Sequence, residues 1–293
     1  MFIIKHKKIF VWISIVLVTL SIGAIAYFGL NMGIDFKGGS LTEVEYTNAR
    51  PDQATFEASL SNLSLGQILV QPTGDKGYSI KTRAVTDKEH TAIVAALGKD
   101  AVEKSFTSIG PSVGAELARK SLLSFILVSL GIIFWIAFSF RKVSKPVSSW
   151  RYGLIAIVTL IHDIMIPVGV FAVLSHIFGV EVDTLFVVAI LTVLGLSVSD
   201  TIVVFDRIRE NIRIGHFKTF EETVGNSISQ VYTRSIATSA TVIIALLALV
   251  FFGPKSTKVF AMMLTAGMFF GTYSSIFLAS PLLVFVQGWQ KKK

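Results

Sequence analysis

The chain has 293 residues, of which 52% are hydrophobic and only 16% are charged, and its mean hydropathy is +0.67. This composition is too apolar for a soluble protein of that length and places the chain among membrane proteins. The absence of cysteine excludes disulfides and thiolate metal sites, and the net charge of +8 comes from basic residues clustered beside apolar runs, which does not favour nucleic-acid binding.

Six apolar runs are long enough to cross a bilayer, which takes roughly 20 residues. They occupy about residues 9–30, 120–140, 152–176, 184–206, 231–252 and 258–287. The first run follows the basic stretch "KHKK" and contains small residues, so a cleaved signal peptide is an alternative interpretation. Because the run continues to Leu30, beyond the length of a signal sequence, the pattern favours an uncleaved span.

Basic residues are concentrated in the segments that would share one side of the membrane. The two short loops on the opposite side, near residues 177–183 and 253–257, carry only Lys255. The positive-inside rule therefore predicts two cytoplasmic termini, with residues 31–118 outside. The basic residues on the cytoplasmic side are Lys5, Lys7, Lys8, Arg141, Lys142, Lys145, Arg151, Arg207, Arg209, Arg213, Lys218, Lys291, Lys292 and Lys293.

The segment between the first two spans has the pattern of a small α+β domain. Pro51 suits the first turn of a helix, Thr86 followed by Glu89 resembles a capping box, and residues 74–77 suit a hairpin turn. The order β-α-β-β-α-β predicts a ferredoxin-like fold. The predicted strands are 41–47, 66–71, 78–83 and 101–109, and the predicted helices are 51–63 and 86–98.

Three regions follow from this pattern. Residues 1–30 form a cytoplasmic tail and the first span, residues 31–118 an extracytoplasmic ferredoxin-like domain, and residues 119–293 the other five spans with cytoplasmic loops and tail. The predicted fold class is a polytopic α-helical membrane protein with one such domain. No residue of the domain looks catalytic, so a binding or contact role is expected. The chain also has no P-loop, GxGxxG, HExxH or metal-ligand spacing, so we expect neither enzyme activity nor a metal or organic cofactor.

Asp200 stands inside the fourth apolar run, where a central carboxylate costs roughly 2.5–3.5 kcal/mol. Such an acid either pairs structurally or belongs to an ion or proton path. In the fifth run Arg234, Thr238 and Thr241 fall on one helical face. The fourth and fifth runs are joined on the cytoplasmic side, so a pairing of Asp200 with Arg234 is predicted, and protonation of the acid would break it.

Further polar residues lie in or beside these runs. His162 and Asp163 lie in the third run, and a proton path and helix packing are both open for this pair. The same two roles are open for the hydroxyl residues Ser197, Ser199, Thr201, Thr238 and Thr241. The charges that follow the fourth run, Asp206, Arg207, Arg209 and Glu210, are expected to form a solvated helix end.

Four stretches of the chain resemble one family. They are "GIDFKGG" (33–39), with Gly33, Asp35, Gly38 and Gly39, "HD" (162–163), "SDTIVVFDRIREN" (199–211) and "YTRSIATSAT" (232–241). Together and in this order they resemble the SecF branch of the SecD/SecF family, which belongs to the resistance-nodulation-division superfamily. The block "DTIVVFDRIREN" is specific to that branch, whereas "GIDFKGG" also occurs in SecD.

The resemblance implies an accessory subunit of protein export in the bacterial cytoplasmic (inner) membrane. Its implied partners are a SecD-like subunit, YajC, the SecYEG channel, membrane lipids and the translocating preprotein. It implies a proton as coupling ion, with the family's transmembrane acid and arginine at Asp200 and Arg234. Relatives commonly carry Tyr, Asn and Asn where this chain has Leu196, Ser199 and Ala237. Two rival functions are a proton-driven exporter of small molecules or lipids and a membrane scaffold without transport.

The charge asymmetry predicts a topology that protease accessibility can test. Protease added to intact spheroplasts should cut within residues 31–118, because that domain is expected outside, and should leave a C-terminal tag intact. Digestion of the tag from outside would contradict this topology.

Overall fold

The computed structural model describes residues 2–139 and 148–291 of the chain. The basic residues Arg141, Lys142, Lys145, Lys292 and Lys293, which contributed to the predicted topology, lie outside the described residues. The chain divides into two compact units, one formed by Met1–Asn31 with Ser124–Lys293 and the other by Met32–Leu123.

A short helix and one long apolar helix come first, a short α+β segment follows them, and the rest of the described chain forms further long apolar helices. In chain order they are α1 (Phe2–Lys5), α2 (Lys7–Phe28), α3 (Ile34–Lys37), β1 (Gly39–Tyr46), α4 (Gln53–Leu60), β2 (Leu69–Thr73), β3 (Gly77–Thr82), α5 (Asp87–Ala96), β4 (Ala101–Ile109), α6 (Pro111–Ser139), α7 (Ser149–Phe178), α8 (Thr184–Ile214), α9 (Phe220–Phe252), α10 (Lys255–Ser274), a π-helical turn (Ser275–Ala279) and α11 (Ser280–Lys291).

The described residues contain six helical segments that are long and apolar enough to cross a membrane. They are α2, α6, α7, α8, α9 and the continuous segment from α10 to α11, so the six predicted spans are confirmed. The third, fourth and sixth spans are about half buried, whereas the other three are mostly exposed. The chain is therefore a multi-pass membrane protein in which α7, α8 and α10–α11 form the centre of the bundle.

Several helices extend beyond the limits predicted from hydropathy. Helix α6 begins at Pro111, α8 continues to Ile214 and α9 begins at Phe220. Hydropathy marks only the apolar part of a helix, whereas helical hydrogen bonding continues into polar residues that can be capped or paired. At the end of α8, ion pairs join Arg209 to Asp206 and Arg207 to Glu210, as expected for a solvated helix end. At the start of α9, Thr219 and Glu222 form a capping box.

Glycine permits two close helix contacts in the bundle. A Cβ on Gly169 of α7 would lie 2.6 Å from Cα of Ser21 on α2. A Cβ on Gly267 of α10 would lie 2.1 Å from Cγ2 of Val193 on α8. Both distances are below any real contact, so these helices pack with their backbones closer than larger residues would allow. The second contact positions the polar site described below.

The unit Met32–Leu123 contains a four-stranded antiparallel sheet with the order β2-β3-β1-β4. With the chain order β-α-β-β-α-β, this topology confirms the predicted ferredoxin-like domain. Its core contains the buried residues Val44, Phe56, Leu60, Ile80 and Ile93.

Two local predictions for this domain were wrong. Pro51 lies before helix α4, since Asp52 is the N-cap and its carboxylate accepts a hydrogen bond from the Thr55 N–H. Strand β2 begins at Leu69 and not at residue 66, because Gly66 has a φ of +74°, which is incompatible with a strand. The predicted hairpin is confirmed: Gly74 adopts a φ of +61° between β2 and β3.

The predicted capping box at α5 is also confirmed. The Thr86 hydroxyl accepts from the Glu89 N–H, and the Glu89 carboxylate accepts from the Thr86 N–H. Arg83 donates to the same carboxylate and, as the main cause, lowers the pKa of Glu89 to about 2. The Glu89 carboxylate at the N-terminus of α5 therefore stays ionised at every physiological pH.

The motif GIDFKGG follows the first span in the chain and makes close contacts within the unit Met32–Leu123. Gly33 is the N-cap of the single-turn helix α3, which contains Asp35. Gly38 follows with φ 78° and ψ 160°, a region essentially restricted to glycine, and a Cβ there would lie 2.8 Å from Cα of Pro111. Gly39 begins β1 with a Cβ position only 2.9 Å from the Thr82 carbonyl oxygen. The paired glycines therefore permit both the turn and the packing.

Gly38→Ala should destabilise this domain by about 2–4 kcal/mol, because a strained φ and an overpacked contact add together. In hydrogen–deuterium exchange of the full chain, the slowest amides of β1 should exchange at least tenfold faster, since about 1.4 kcal/mol corresponds to a factor of ten. Gly110→Ala is the control, since its Cβ would meet nothing within 4 Å. Equal exchange in the two variants would contradict the structural role of Gly38.

Candidate functional site

A fully buried carboxylate joins three spans near the middle of α7. Asp163 has a relative exposure of 0%, and its Oδ1 lies 2.8 Å from Nδ1 of His162. Its Oδ2 accepts hydrogen bonds from the hydroxyls of Ser197 on α8 and Ser274 on α10, the latter at 2.7 Å. An uncompensated buried charge costs several kcal/mol, so these three contacts are what make a carboxylate tolerable at this position.

The two serine hydroxyls reach Asp163 because α8 and α10 pack closely. Gly267 permits close packing of α10 against the Val193 side chain of α8, and a Cβ on Gly271 would lie 3.1 Å from Cβ of Ser197. At that separation a side chain as short as serine can bridge from one helix to the next. Larger residues at the glycine positions would push the helices apart and break the hydrogen bonds.

The sixth span changes its helical pitch beside this carboxylate. The π-helical turn Ser275–Ala279 follows α10 directly. Ser274 contacts α7 through Asp163, and Ser275 contacts α8, with its Oγ 2.9 Å from Oγ1 of Thr201. Both serines also lie within hydrogen-bond distance of the Gly271 carbonyl oxygen. π-helical turns are rare and occur frequently at functional sites, and this one adjoins the buried hydrogen bonds of Ser274 and Ser275 to the neighbouring spans.

Asp200 faces a cavity of ≈ 160 Å³ between α8, α9 and α10. Its Oδ1 accepts a hydrogen bond of 2.7 Å from the Ser235 hydroxyl on α9. Its Oδ2 is buried and has no hydrogen-bond partner within the part of the chain that the structure describes. Leaving such an oxygen unsatisfied costs about 1–3 kcal/mol, and more when it is charged. The cavity has room for several water molecules, each of which occupies about 30 Å³. Asp200 is therefore placed to exchange a proton.

The predicted ion pair between Asp200 and Arg234 is not formed in this structure. Arg234 lines the same cavity, but its side chain is exposed, and its neighbour Ser235 makes the contact with Asp200. Consecutive residues on a helix point about 100° apart, so the face that turns Ser235 toward α8 turns Arg234 toward the open side. The charges thus share a cavity without contact.

His162 lines a second cavity of ≈ 350 Å³ between α2, α7 and the segment from residue 278 to 282. Its ring stacks on Tyr273 of α10, with ring centroids 6.0 Å apart. While Nδ1 contacts Asp163, Nε2 is buried and has no hydrogen-bond partner among the described residues. The second cavity is almost entirely apolar, with Ser14 and Thr19 as its other polar residues.

The remaining predicted residues fall into three groups. Ser199, Thr238 and Leu196 line the Asp200 cavity, together with Ser197. Thr241 and Ala237 are exposed on α9 and do not line it. The third group is the glycine motif, which belongs to the other compact unit, Met32–Leu123. Its predicted residues are Gly33, Asp35, Gly38 and Gly39.

Sequence reasoning missed the hydroxyls that complete the site. Ser235, Ser274 and Ser275 each form a hydrogen bond to another span. Serine is common in membrane helices because it packs well and bonds its own backbone, so its presence predicts no particular partner. The only available signal was the adjacent pair Ser274-Ser275 in an apolar run. The carboxylates of Asp163 and Asp200 and the imidazole of His162 are groups that can bind and release a proton. Among the described residues there is no group of three or more His, Asp or Glu side chains that could hold a metal ion.

Comparisons with known proteins agree with this architecture. The family model "Protein export membrane protein SecD/SecF, C-terminal" matches residues 89–289, and the "SecD/SecF GG Motif" matches residues 23–49. The SecF protein translocase subunit of Thermobaculum terrenum is 40% identical over 99% of this chain and 94% of its own length. That of Anaerolinea thermophila is 37% identical over 96% of this chain and 92% of its own length. The chain belongs to the SecD/SecF family.

Solved structures of the SecD/SecF family show the same fold. The crystal structure of SecDF from Thermus thermophilus, described as a translocon-associated membrane protein, superposes with a TM-score of 0.80 and 27% identity over 98% of this chain. SecDF in a super-membrane-facing form superposes with a TM-score of 0.68. This chain spans 38% of the length of the SecDF chain in both cases. It therefore corresponds to one part of SecDF, whereas it matches the curated SecF subunits over nearly their full length.

Proposed function

We propose that this chain is an accessory subunit of the Sec protein translocase that uses the proton motive force to promote late steps of preprotein export. Asp200 carries the proposal: it is a carboxylate within a membrane span, it lines a cavity, and its Oδ2 has no hydrogen-bond partner among the described residues. Membership of the SecD/SecF family and the names of the curated SecF relatives support the export role. We place the protein in the bacterial inner membrane with both termini cytoplasmic.

The coupling would arise because the two protonation states of Asp200 favour different contacts. The ionised acid accepts from Ser235 and leaves Oδ2 buried without a donor, which favours approach of Arg234 or water from the cavity. The protonated acid no longer needs a cationic partner and can itself donate. Moving one charge across 100 mV supplies about 2.3 kcal/mol, which exceeds the roughly 1.4 kcal/mol needed to change a two-state population tenfold.

A SecD-like subunit is the proposed direct partner. The matching SecDF chains contain this fold as 38% of their length, which supports a second part that this chain does not provide. The exposed face of α9 carries Thr233, Arg234, Thr238 and Thr241, and an arginine facing lipid costs roughly 2.5–3.5 kcal/mol. A partner helix on this face would remove that cost. By family resemblance, YajC, the SecYEG channel and the translocating preprotein complete the set of partners.

The two rival functions make different demands on the same residues. A membrane scaffold would use Asp200 only structurally and would tolerate a neutral isostere. An exporter of small molecules or lipids would move its substrate without a translocating preprotein. The near-complete coverage of curated SecF subunits favours protein export over both.

Asp200→Asn should abolish the stimulation of export by a proton gradient while leaving assembly intact, because asparagine keeps the size and the Ser235 contact but cannot titrate. Arg234→Met should have the same effect, because it removes the cation from the cavity. The measurement is preprotein translocation into inverted membrane vesicles, with and without a gradient.

The matched control is Asp206→Asn, which changes the same residue type on the same helix at an exposed ion pair with Arg209. It should retain the gradient-dependent stimulation of the unmodified chain. Equal stimulation in Asp200→Asn and the unmodified chain would contradict the coupling role.

Thr241→Cys should form a disulfide or maleimide cross-link to a cysteine-bearing SecD-like subunit, because the exposed polar face of α9 is the proposed interface. The chain has no native cysteine, so a single introduced thiol reports one position. Leu20→Cys, on the apolar exposed face of α2, is the control and should give at least tenfold less product. Equal cross-linking at both positions, or none at Thr241, would exclude this interface.

A further inference from the structure

We propose that His162 and Asp163 form a second proton-binding site, which exchanges protons with the Asp200 cavity through the hydroxyl of Ser197. This inference rests on the proposed function, since it extends the path of the coupling proton beyond Asp200. The sequence left a proton path and helix packing open for His162 and Asp163, and this proposal assigns them to a proton path.

The contacts of Asp163 orient the imidazole of His162. Asp163 accepts from two hydroxyls at Oδ2 and faces Nδ1 of His162 at 2.8 Å with Oδ1. A carboxylate in this position favours the tautomer that carries its proton on Nδ1, which leaves a lone pair on Nε2. Nε2 is buried without a partner among the described residues, while the ring lines the α2–α7 cavity. His162 thus presents a basic nitrogen on the side of its ring that faces away from Asp163.

The titratable surroundings of the pair are sparse. On α10 the ring of Tyr273 stacks on His162, and its hydroxyl donates to the Phe10 carbonyl oxygen of α2. On α8 the nearest carboxylate is Asp200, beyond Ser197. The residues of α2 and of the segment from 278 to 282 that line the cavity have no titratable group. Asp163 is therefore the group that stabilises an imidazolium at position 162.

Ser197 connects the two acids. It donates to Oδ2 of Asp163 and also lines the cavity of Asp200, which lies three residues later on the same helix face. A packing role alone would not require the same hydroxyl to contact the buried carboxylate and border the cavity. The three groups His162, Asp163 and Ser197 form a continuous hydrogen-bonded row from one cavity to the other.

Ser274 permits both protonation states of Asp163. Its hydroxyl has one hydrogen and two acceptors within reach, Oδ2 of Asp163 at 2.7 Å and the Gly271 carbonyl oxygen at 3.0 Å. When Asp163 is ionised, the Ser274 hydroxyl donates its hydrogen to the Asp163 carboxylate. When Asp163 is protonated, Ser274 donates to Gly271 and its oxygen is free to accept. No polar atom is left unpaired by the change.

Each transfer along this row conserves protons. One proton binds to Nε2 of His162 as the Nδ1 proton moves to Oδ1 of Asp163. Rotation of that carboxyl carries this proton to the side of Ser197, whose oxygen takes it up as the Ser197 hydroxyl releases its own proton to the Asp200 cavity, and Asp163 is again ionised. Rotation of the imidazole that turns Nε2–H toward Asp163 then leaves the other ring nitrogen bare for the next proton, and the reverse sequence carries a proton in the opposite direction.

The test is nitrogen-15 solid-state NMR of the full chain in lipid vesicles, with His162 assigned by the loss of its signals in His162→Gln. The chain has only five histidines, so assignment is practical. Nε2 should convert from bare to protonated as the vesicle pH is lowered. Asp163→Asn should reduce the protonated fraction at a given pH by about tenfold, because it removes the neighbouring negative charge. Asp200→Asn should retain the conversion.

Export in vesicles supplies the second readout. Ser197→Ala should reduce gradient-dependent stimulation at least fivefold, while His162 should still convert between its two protonation states. Ser175→Ala is the matched control on α7, since that hydroxyl donates to the Val180 carbonyl oxygen and lines neither cavity, and this variant should export normally. A single protonation state of His162 at every pH that preserves the fold would overturn the second site, and normal stimulation in Ser197→Ala would overturn the connection. Neither result would affect the role proposed for Asp200, which fails only if Asp200→Asn retains stimulation.

Discussion

The arrangement of the membrane bundle depends on the burial of one carboxylate. Asp163 is enclosed by α7, α8 and α10, and each of these helices contributes one hydrogen-bonding side chain to it. An apolar interface between helices gains little in a membrane, because lipid is equally apolar, so directional polar contacts and close packing determine how the spans associate. The Asp163 contacts therefore specify the relative rotation of three central helices. A rotation of any one of them would leave a charged or polar group alone in a low-dielectric interior.

Close packing and polar contacts are coupled in this bundle. The absence of side chains at Gly267 and Gly271 brings α10 near enough to α8 for serine hydroxyls to bridge them. Between α8 and α9 a cavity lies beside Asp200, and Ser235 donates across it to the acid. Farther along these two helices, Arg207 and Asn211 of α8 donate to Gln230 and Ser227 of α9. On one side of α8, both carboxylate oxygens of Asp163 are hydrogen-bonded. On the other side, Oδ2 of Asp200 has no hydrogen-bond partner among the described residues.

This contrast gives the two acids different properties. A carboxylate with three partners in a closed site is held in position, whereas a carboxylate with one partner in an open cavity can change its contacts when its charge changes. The arginine in the cavity is available to the second acid without being bound by it. This member of the SecD/SecF family therefore combines a hydrogen-bonded centre at Asp163 with an open edge at Asp200.

The sequence by itself determined the class of protein, the six spans, the topology of the small domain and the two charged residues of the open cavity. These features depend on local or one-dimensional properties. Hydropathy over about 20 residues decides whether a helix spans the bilayer, and turn residues with alternating apolar positions decide the strands. An isolated charge in an apolar run, such as Asp200, is conspicuous because its cost does not depend on the surrounding fold.

Only the tertiary structure decided which groups meet. The predicted contact between Asp200 and Arg234 failed because the rotation of α9 directs Ser235 toward the acid, and a rotation of about 100° cannot be read from composition. Likewise, Ser274 resembles any small residue of a membrane helix until the glycine contacts of α10 bring it to Asp163. The π-helical turn at Ser275–Ala279 also became visible only in the structure, because its sequence does not distinguish it from an ordinary α-helix. Hydrogen bonds between spans depend on helix rotation and separation, and these are properties of the assembled bundle alone.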